Sequence, residues 1–197
     1  MQVEVPQICW HDETSRIMSI DFFPNSDLFV TSSISNEFDS GIRFWKLKAT
    51  FEPQHIYDLV GGHSSAVNIV RFAPNGQYLA SGSDDQMVII WTLKMTPVEF
   101  GQREETVQWG HPRQLRGHVG DVVDLAWSNN SQHLVSCSLD GTSIIWSIQS
   151  NKFTKMQTLE GHKKYVQGVS VDPFFKYIAS QSSDSTVRLY KNRKLKN

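Results

Sequence analysis

Short apolar segments of six or seven residues recur along the chain, and clusters of turn-forming residues separate them. Apolar runs of this length between such clusters are typical of β-strands. Little of the sequence has helical periodicity over ten residues or more, so the pattern predicts an all-β fold. The predicted strands form three similar groups, at 66–72, 78–83 and 87–92, at 122–127, 133–138 and 142–147, and at 166–171, 177–182 and 186–191.

A fixed spacing of histidine, aspartate and aromatic residues accompanies these groups. In each group an aspartate follows the histidine of a Gly-His pair by 22 residues, and an aromatic residue follows the aspartate by 6. An earlier copy keeps the second interval but has 28 residues in the first, which indicates an insertion of six near 34–38. The four sets are His11, Asp39 and Trp45; His63, Asp85 and Trp91; His118, Asp140 and Trp146; and His162, Asp184 and Tyr190.

Repeats of about 40–45 residues with a Gly-His opening and a late tryptophan are typical of WD repeats, each of which builds a four-stranded propeller blade. The Trp-Asp dipeptide itself is lost, because Lys46, Thr92 and Ser147 follow the three tryptophans. The spacing therefore carries the prediction of a β-propeller with four blades in this chain.

Each repeat offers candidates for one buried hydrogen-bonded network. The histidine can donate to the aspartate, and a serine on the second strand can bridge to the indole N–H of the tryptophan. Such pairing matters because an unpaired buried polar group costs roughly 1–3 kcal/mol. Besides the four sets above, the predicted network includes Ser81 (with Ser83 as the alternative), Ser136 and Ser180.

Two catalytic or metal-binding interpretations of the same residues are weaker. A Ser-His-Asp triad occurs once in a hydrolase, whereas this pattern recurs and has no Gly-x-Ser-x-Gly elbow. Zinc binding is not favoured because each histidine belongs to a different blade without a second ligand near it in sequence. No P-loop, dinucleotide fingerprint or His-Glu-x-x-His is present. The sequence predicts no enzyme, no metal and no cofactor.

Composition narrows the classes of partner. Nineteen basic and twenty acidic residues leave a net charge of −1, which gives no general argument for binding DNA or a membrane. The two cysteines, Cys9 and Cys137, are too few for a disulfide framework and favour reduced thiols inside the cell. The chain has no apolar run long enough for a membrane span and no signal peptide at its start, so we expect an intracellular protein.

Several segments resemble one particular WD-repeat family, the histone-chaperone B subunits of chromatin assembly factor 1. The resemblance covers essentially the whole chain and is most specific in the second and fourth repeats. The Hir-type histone regulators are similar as well, and 120–127 would suit either family. Tyr190, in place of a last tryptophan, favours the assembly factor. The segments that carry the resemblance are 8–11, 19–22, 66–72, 79–85, 115–118 after the polar insert, and 162–169 with Asp172-Pro173.

What the resemblance implies is a nuclear, non-catalytic scaffold that helps to deposit histones H3 and H4 on replicated or repaired DNA. Its expected partners are the other chromatin assembly factor 1 subunits and, directly or through them, H3–H4. Another histone chaperone docks on a tail that follows the propeller in that family. This contact is not carried over, because the sequence ends before such a tail. No histone-contacting residue is marked by a motif.

The resemblance also implies a seven-bladed propeller, of which this chain would form an open arc. Outer strands are expected at 55–60, 114–116 and 156–159. The segment 3–8 is then a spare edge strand, which in the alternative completes a closed ring of four blades. The predicted segments are 1–9 (spare strand), 10–60, 61–93, 115–160 and 161–191 (the four repeats), 94–114 (a polar insert loop ending in an outer strand) and 192–197 (a basic tail).

Three further hypotheses remain open. A WD-repeat adaptor of another complex, such as a ubiquitin-ligase receptor or a trafficking coat, predicts the same fold. The basic residues from 191 to 196 are an alternative site for DNA or nuclear import, although a short terminal charge run is usually only solvated. The insert at 94–114 is interpreted as an ordinary surface loop rather than a docking site.

Overall fold

The computed structural model describes residues 15–34, 41–59, 61–95, 107–149 and 152–192, and at 94, 95, 107 and 108 only the backbone. Within these ranges the chain forms fifteen β-strands and no helix, which confirms the all-β prediction. The strands form four antiparallel sheets in chain order. We call these sheets blades 1 to 4.

Each blade is built from consecutive strands joined by tight turns, so the sheet order follows the chain. The first three blades have four strands, and blade 4 has three within the described residues. Blade 1 contains β1 (Arg16–Phe22), β2 (Leu28–Ile34), β3 (Ile42–Leu47) and β4 (Pro53–Asp58), and blade 2 contains β5 (Val67–Phe72), β6 (Tyr78–Ser83), β7 (Val88–Met95) and β8 (Val107–Leu115). Blade 3 contains β9 (Val122–Trp127), β10 (His133–Ser138), β11 (Ser143–Gln149) and β12 (Lys152–Leu159), and blade 4 contains β13 (Val166–Val171), β14 (Tyr177–Ser182) and β15 (Val187–Lys191).

The hydrophobic core lies between the blades. Three clusters of buried side chains each join one blade to the next, for example Val30 and Ile42 of blade 1 with Val67 and Val70 of blade 2. A sheet between two others, as in blades 2 and 3, therefore buries both faces, which explains why its middle strands are apolar or small at nearly every position.

The first strands of the blades lie side by side, with β1 against β5, β5 against β9 and β9 against β13. Blade 4 does not return to blade 1 within the described residues, and the four blades form an open arc. This confirms the open arc, and the alternative of a closed four-bladed ring is wrong.

The outermost strands differ from the sequence prediction. The strand expected at 114–116 begins at Val107 and is nine residues long, so the second half of the predicted insert loop is part of the sheet. The strand expected at 156–159 begins at Lys152, and the one expected at 55–60 covers Pro53–Asp58. The sequence does not give the bounds of β4 and β12 because these strands are largely exposed or half-buried. They therefore show no alternation of apolar residues.

The first three strands of blades 2, 3 and 4 were predicted with bounds close to those observed. β6, β10 and β14 have the predicted bounds, and β7 extends three residues further, to Met95. The spare strand at 3–8, His11, Asp39, residues 35–38 of the insertion, the centre of the insert loop and residues 193–197 of the basic tail lie outside the described residues.

Candidate functional site

Blade 2 brings four side chains from different strands and loops into one chain of hydrogen bonds. The Nδ1 atom of His63 lies 2.8 Å from Oδ2 of Asp85, and its Nε2 lies 2.7 Å from Oγ of Ser81. The indole N–H of Trp91 donates to the same Ser81 oxygen over 2.9 Å. Ser83, the alternative, is not the bridging residue, since its hydroxyl donates to the carbonyl of Ser65 over 3.3 Å.

Blade 3 repeats this arrangement. His118 contacts Asp140 and Ser136, each over 2.8 Å, and the indole N–H of Trp146 donates to Ser136 over 2.9 Å. Ser136 is fully buried, and Trp146 is 2% exposed. The two networks therefore have the same geometry although they share no atom.

The direction of the hydrogen bonds sets the protonation state of the histidine. Because the indole N–H can only donate, the serine oxygen accepts it and the serine O–H donates to Nε2 of the ring. These contacts fit a neutral ring whose proton on Nδ1 is donated to the carboxylate. Burial lowers the pKa of His118 below its usual 6.5, and the hydrogen bond and charge of Asp140 only partly offset this.

The aspartates also tie the loop that opens each blade to the turn between the second and third strands. Asp140 accepts the backbone N–H groups of Val119 and Thr142 and the Thr142 hydroxyl. Burial alone would raise the pKa of Asp140, but these hydrogen bonds and the one from His118 outweigh it and lower the pKa. The same balance lowers the pKa of Asp85. The ionised carboxylates are thus held by several donors at once.

Blade 4 holds only part of the network. His162 contacts Asp184 over 3.1 Å and Ser180 over 2.8 Å. Tyr190 stands where blades 2 and 3 have tryptophan, and its hydroxyl donates to the carbonyl of Glu160 over 3.4 Å instead. Hydrogen bonds from Thr186 and from the backbone of Lys163 lower the pKa of Asp184.

Blade 1 uses a residue that the sequence analysis missed. The indole N–H of Trp45 donates over 2.9 Å to Oγ1 of Thr31, which occupies the position of Ser81. A threonine hydroxyl can fill this role, and the alignment of Thr31 with the serines was the signal that could have shown it.

The chemistry available to these groups is limited by burial. Ser81 and Ser136 are completely buried, and each already has two hydrogen-bonding neighbours in its network. The serine of a hydrolase must be accessible to its substrate, and the burial of these two serines prevents that. Across the described ranges, no group of three or more histidine, cysteine, aspartate or glutamate side chains is placed to hold a metal ion.

A second repeated feature, also missed in the sequence, lies at the edge of the innermost strands. The outward N–H groups of these strands have no neighbouring strand, and in blades 2 and 4 side chains of the preceding blade accept some of them. Asp21 accepts the N–H of Phe72 over 2.7 Å, and Asp124 accepts that of Val169 over 2.9 Å. Ser19 lies 3.4 Å from the N–H of Val70. We call this feature edge capping.

Two of these capping groups carry buried charge. Burial raises the pKa of Asp21 and of Asp124, while their hydrogen bonds and the charge of Arg71 act in the opposite direction. The Arg71 guanidinium donates to Ser19 over 3.0 Å and to the carbonyl of Val70 over 2.9 Å. The carbonyl of Arg71 in turn accepts the indole N–H of Trp127 over 3.0 Å. Arg71 thus joins blades 1, 2 and 3 along the inner strands.

Three four-stranded blades and one with three described strands, with a His-Asp-Ser-Trp network in two of them and parts of it in the other two, define a WD-repeat β-propeller arc. None of the described residues lies in a helix suited to crossing a lipid bilayer. All 197 residues match the family described as the CAF1B/HIR1 beta-propeller domain. The chain therefore belongs to the CAF1B/HIR1 β-propeller family.

Curated relatives support the same assignment. The chain is 33% identical over 201 residues to the B subunit of chromatin assembly factor 1 from Gallus gallus, covering 96% of this chain and 35% of that protein. It is 38% identical over 192 residues to the FAS2 homolog subunit of chromatin assembly factor 1 from Oryza sativa subsp. japonica, covering 95% and 35%. "Protein hir1" of Emericella nidulans is 37% identical over 188 residues, covering 89% and 18%. The chain thus spans about a third or less of the length of these relatives.

Proposed function

We propose that this chain is part of a non-catalytic WD-repeat scaffold in a nuclear histone-chaperone complex of the chromatin assembly factor 1 type. In that role it helps to deposit histones H3 and H4 on DNA during replication and repair. The observation that carries the proposal is the family match over all 197 residues, together with relatives named as chromatin assembly factor 1 subunits.

The networks support a scaffold rather than an enzyme. Their serines are buried, and the proton on each histidine is committed to an aspartate that also holds two backbone N–H groups. We assign them the role of fixing the loops to the sheets, and we propose the same role for the copy that contains His11 and Asp39. Repeat limits of 10–60, 61–93, 115–160 and 161–191 fit this role, because each repeat then contains one copy.

The proposed partners are the other subunits of chromatin assembly factor 1 and, directly or through them, H3–H4. Direct DNA binding is not part of the proposal, since the net charge of −1 offers no general attraction to phosphate. The chain needs no cofactor in this role, because a scaffold acts through its surfaces.

Pull-down from nuclear extract with the tagged chain tests the proposal. We expect recovery of the other assembly-factor subunits and of H3–H4. In a second arm, purified H3–H4 is offered to the chain alone, and the dimer of the other two core histones serves as the control for unspecific binding of basic proteins. Recovery of coat or ubiquitin-ligase subunits without histones would contradict the proposal. Binding of both histone pairs to the same extent would show only charge attraction.

A Hir-type histone chaperone is the second candidate. Five fungal proteins named hir1 or HIR1 are 32–38% identical to this chain, against 33–38% for three assembly-factor subunits. The same pull-down separates the two, because recovery of Hir-complex subunits in place of the assembly-factor subunits would favour this candidate. In both cases H3–H4 remains the expected cargo.

A further inference from the structure

The outermost strands of blades 2 and 3 carry positive charge and no negative charge. No aspartate or glutamate occurs from 107 to 116, which is β8 and the residue after it, or from 152 to 159, which is β12. The basic residues of these two segments are Arg113, Arg116, Lys152 and Lys155. All four are exposed, so this rim is a local basic patch on a chain whose net charge is −1.

Among the described residues, these four cations have no acidic partner. In blade 1 the rim charges are paired, since Nε of Arg43 lies 3.2 Å from Oδ1 of Asp58 on β4. No ion pair within the described ranges includes a basic residue of β8 or β12. Arg116 donates to the neutral amide oxygen of Gln114 over 3.1 Å. The rim of blades 2 and 3 therefore presents positive charge that can attract an anionic group from outside.

The strand register directs two of the cations into the space between the blades. Arg113 is paired with Ile90 and Lys155 with Trp146, and both of these partners are buried in the core between blades 2 and 3. Residues that are directly opposite on neighbouring strands lie on the same face of a sheet. Arg113 therefore lies on the face of blade 2 towards blade 3, and Lys155 on the face of blade 3 towards blade 2. The Lys155 side chain passes over Gly117, where its Cδ would lie 3.5 Å from an added Cβ atom.

The space between β8 and β12 is a groove with an aromatic floor. Blades radiate from a centre, so neighbouring sheets diverge towards the rim. Phe153 on β12 is half-buried there and meets Tyr78 of blade 2 edge to face, with ring centroids 5.8 Å apart. Gly110 is paired with Thr92, which is paired with Tyr78, and a Cβ atom added to Gly110 would meet nothing within 4 Å. We call the space bounded by Gly110, Arg113, Phe153 and Lys155 the rim groove.

The backbone edges beside the rim groove are unsuited to pairing with another strand. In β8, Pro112 has no N–H, and His111 has a φ of 52° where the register with β7 is irregular. The register of β12 is irregular opposite Ile145 and Trp146. Prolines and bulges prevent an edge strand from adding a further strand. A partner at this rim is therefore held by the side chains of the groove and not by a shared sheet.

The rim groove fits an acidic peptide segment better than it fits a nucleic acid. Two cations face it, whereas a DNA-binding surface neutralises roughly 6–10 phosphates. Carboxylates are acceptors that match both a guanidinium and an ammonium group. The aromatic floor offers a place for an apolar side chain, which a peptide has and a phosphate backbone lacks. The stretch from Gly110 to Leu115 is about 20 Å long, which suits an extended peptide of similar length.

We propose that the rim groove binds an extended acidic segment of a partner protein. One carboxylate of the segment pairs with Arg113 and a second with Lys155, and an apolar side chain between them packs on Phe153. Histones H3 and H4 are basic, so this partner is distinct from the proposed cargo, and the surface goes beyond the proposed scaffold function. The groove lies at the rim between two four-stranded blades, and further blades of a ring would leave it open.

Fluorescence anisotropy with the purified 197-residue chain tests this surface. The probe is a short labelled peptide of glutamate and aspartate with a central leucine, and the same peptide with glutamine and asparagine is the neutral reference. We expect saturable binding of the acidic probe alone, and added salt should weaken it. Arg113→Gln and Lys155→Gln should each weaken binding by about fivefold, as expected for one ion pair at a partly exposed site.

Lys152→Gln is the matched control for these variants. It removes the same charge from the same strand, but Lys152 lies on the opposite face from Phe153, its neighbour in the chain, and should leave binding nearly unchanged. Gly110→Leu changes no charge and places a side chain in the groove, so it should weaken binding by at least about fivefold. Unchanged circular dichroism and melting would confirm that each variant is folded.

Three outcomes would overturn the proposal. Equal losses in Lys152→Gln and Lys155→Gln would show diffuse attraction to charge. A short DNA duplex that binds more tightly than the acidic probe and displaces it would assign the groove to nucleic acid. Binding that appears only after Glu104→Gln and Glu105→Gln would show that the insert of this chain fills the groove. No histone enters this experiment, so its result is independent of the pull-down that tests the proposed function.

Discussion

Ser81 accepts the indole N–H of Trp91 over 2.9 Å, and the same oxygen lies 2.7 Å from Nε2 of His63. One buried hydroxyl therefore joins the third strand of blade 2 to the loop that opens the blade. In blade 4 the equivalent hydroxyl, Ser180, contacts only His162, because Tyr190 is directed to Glu160. The difference between the two blades allows the contribution of the tryptophan to be measured.

Replacing Ser81 should destabilise the chain more than replacing Ser180. Ser81→Ala leaves the N–H of Trp91 and the Nε2 of His63 buried without partners, at a cost of about 2–3 kcal/mol. Ser180→Ala leaves one such group and should cost about 1 kcal/mol. Urea unfolding followed by circular dichroism gives both free energies. Equal losses at the two sites would show that the indole bond contributes nothing.

Introducing tryptophan in blade 4 should complete its network. Tyr190 lines a groove of about 630 Å³ together with Phe175 and Ile178, so the larger ring has room. Tyr190→Trp should raise the free energy of unfolding by about 1 kcal/mol through a bond to Ser180.

Tyr190→Phe is the control for this substitution, since it removes only the 3.4 Å contact with Glu160 and should change stability by less than about 0.5 kcal/mol. Combining Tyr190→Trp with Ser180→Ala should abolish the gain. A gain that persists without Ser180 would assign the stabilisation to packing in the groove.

Gly62 should not tolerate a side chain. A Cβ atom there would lie 2.2 Å and 2.4 Å from two atoms of the Trp91 ring, which is itself anchored to Ser81. Gly62→Ala should therefore cost about 1–3 kcal/mol, as for other overpacked sites. At Gly110 nothing lies within 4 Å of the same atom, so Gly110→Ala should be close to neutral. The two urea midpoints, measured side by side, check this contrast.

Stability should fall as the pH drops below 7. Burial lowers the pKa of His118 and of His133 in the folded chain, whereas in the unfolded chain both titrate near their usual 6.5. Below that value the unfolded chain binds protons that the folded chain does not, so the free energy of unfolding decreases with pH. The lowered pKa of Asp140 adds a further loss below its usual 3.8.

Aspartates with a raised pKa act in the opposite direction. The raised pKa values of Asp21 and Asp124 favour proton binding by the folded chain, so their effect stabilises it as the pH falls through those values. The substitution His133→Phe tests the contribution of one histidine. The ring of His133 stacks on Phe175 with 4.2 Å between the ring centroids, and a phenylalanine ring can keep this stacking without titrating. Urea midpoints between about pH 7.5 and 5.5 should depend less on pH in this variant than in the wild type. An unchanged slope would contradict the assignment.

The sequence predicted those features of the fold that repeat and are buried. β6, β10 and β14 were located to the residue, because β6 and β10 lie between two blades, β14 packs against blade 3, and their buried positions show in the apolar pattern. The outer strands were misplaced, since they lie at the rim and most of their side chains face solvent. An apolar pattern appears only where side chains are buried. A strand at the rim is held mainly by backbone hydrogen bonds, which form with almost any side chain, so no such pattern marks it.

The candidate site shows the same limit. The 22-residue spacing identified the histidines and aspartates, and His63 and His118 with their aspartates lie within 2.8 Å of each other. Edge capping was not predicted, because Ser19, Asp21 and Asp124 are different residue types at two different strand positions. Only the register between strands shows that all three cap N–H groups of the next blade, and no spacing along the chain reveals this register.

Edge capping follows the order in which the blades are synthesised. Each capping acceptor belongs to the blade that comes earlier in the chain, and each capped N–H belongs to the later one. A ribosome therefore releases each of these acceptors before the strand it serves, so β5 and β13 can pack against a blade that already carries their acceptors. Folding in the order of synthesis thus provides an acceptor for these N–H groups as each blade is added. A blade that folded before its predecessor would leave the same N–H groups without that acceptor.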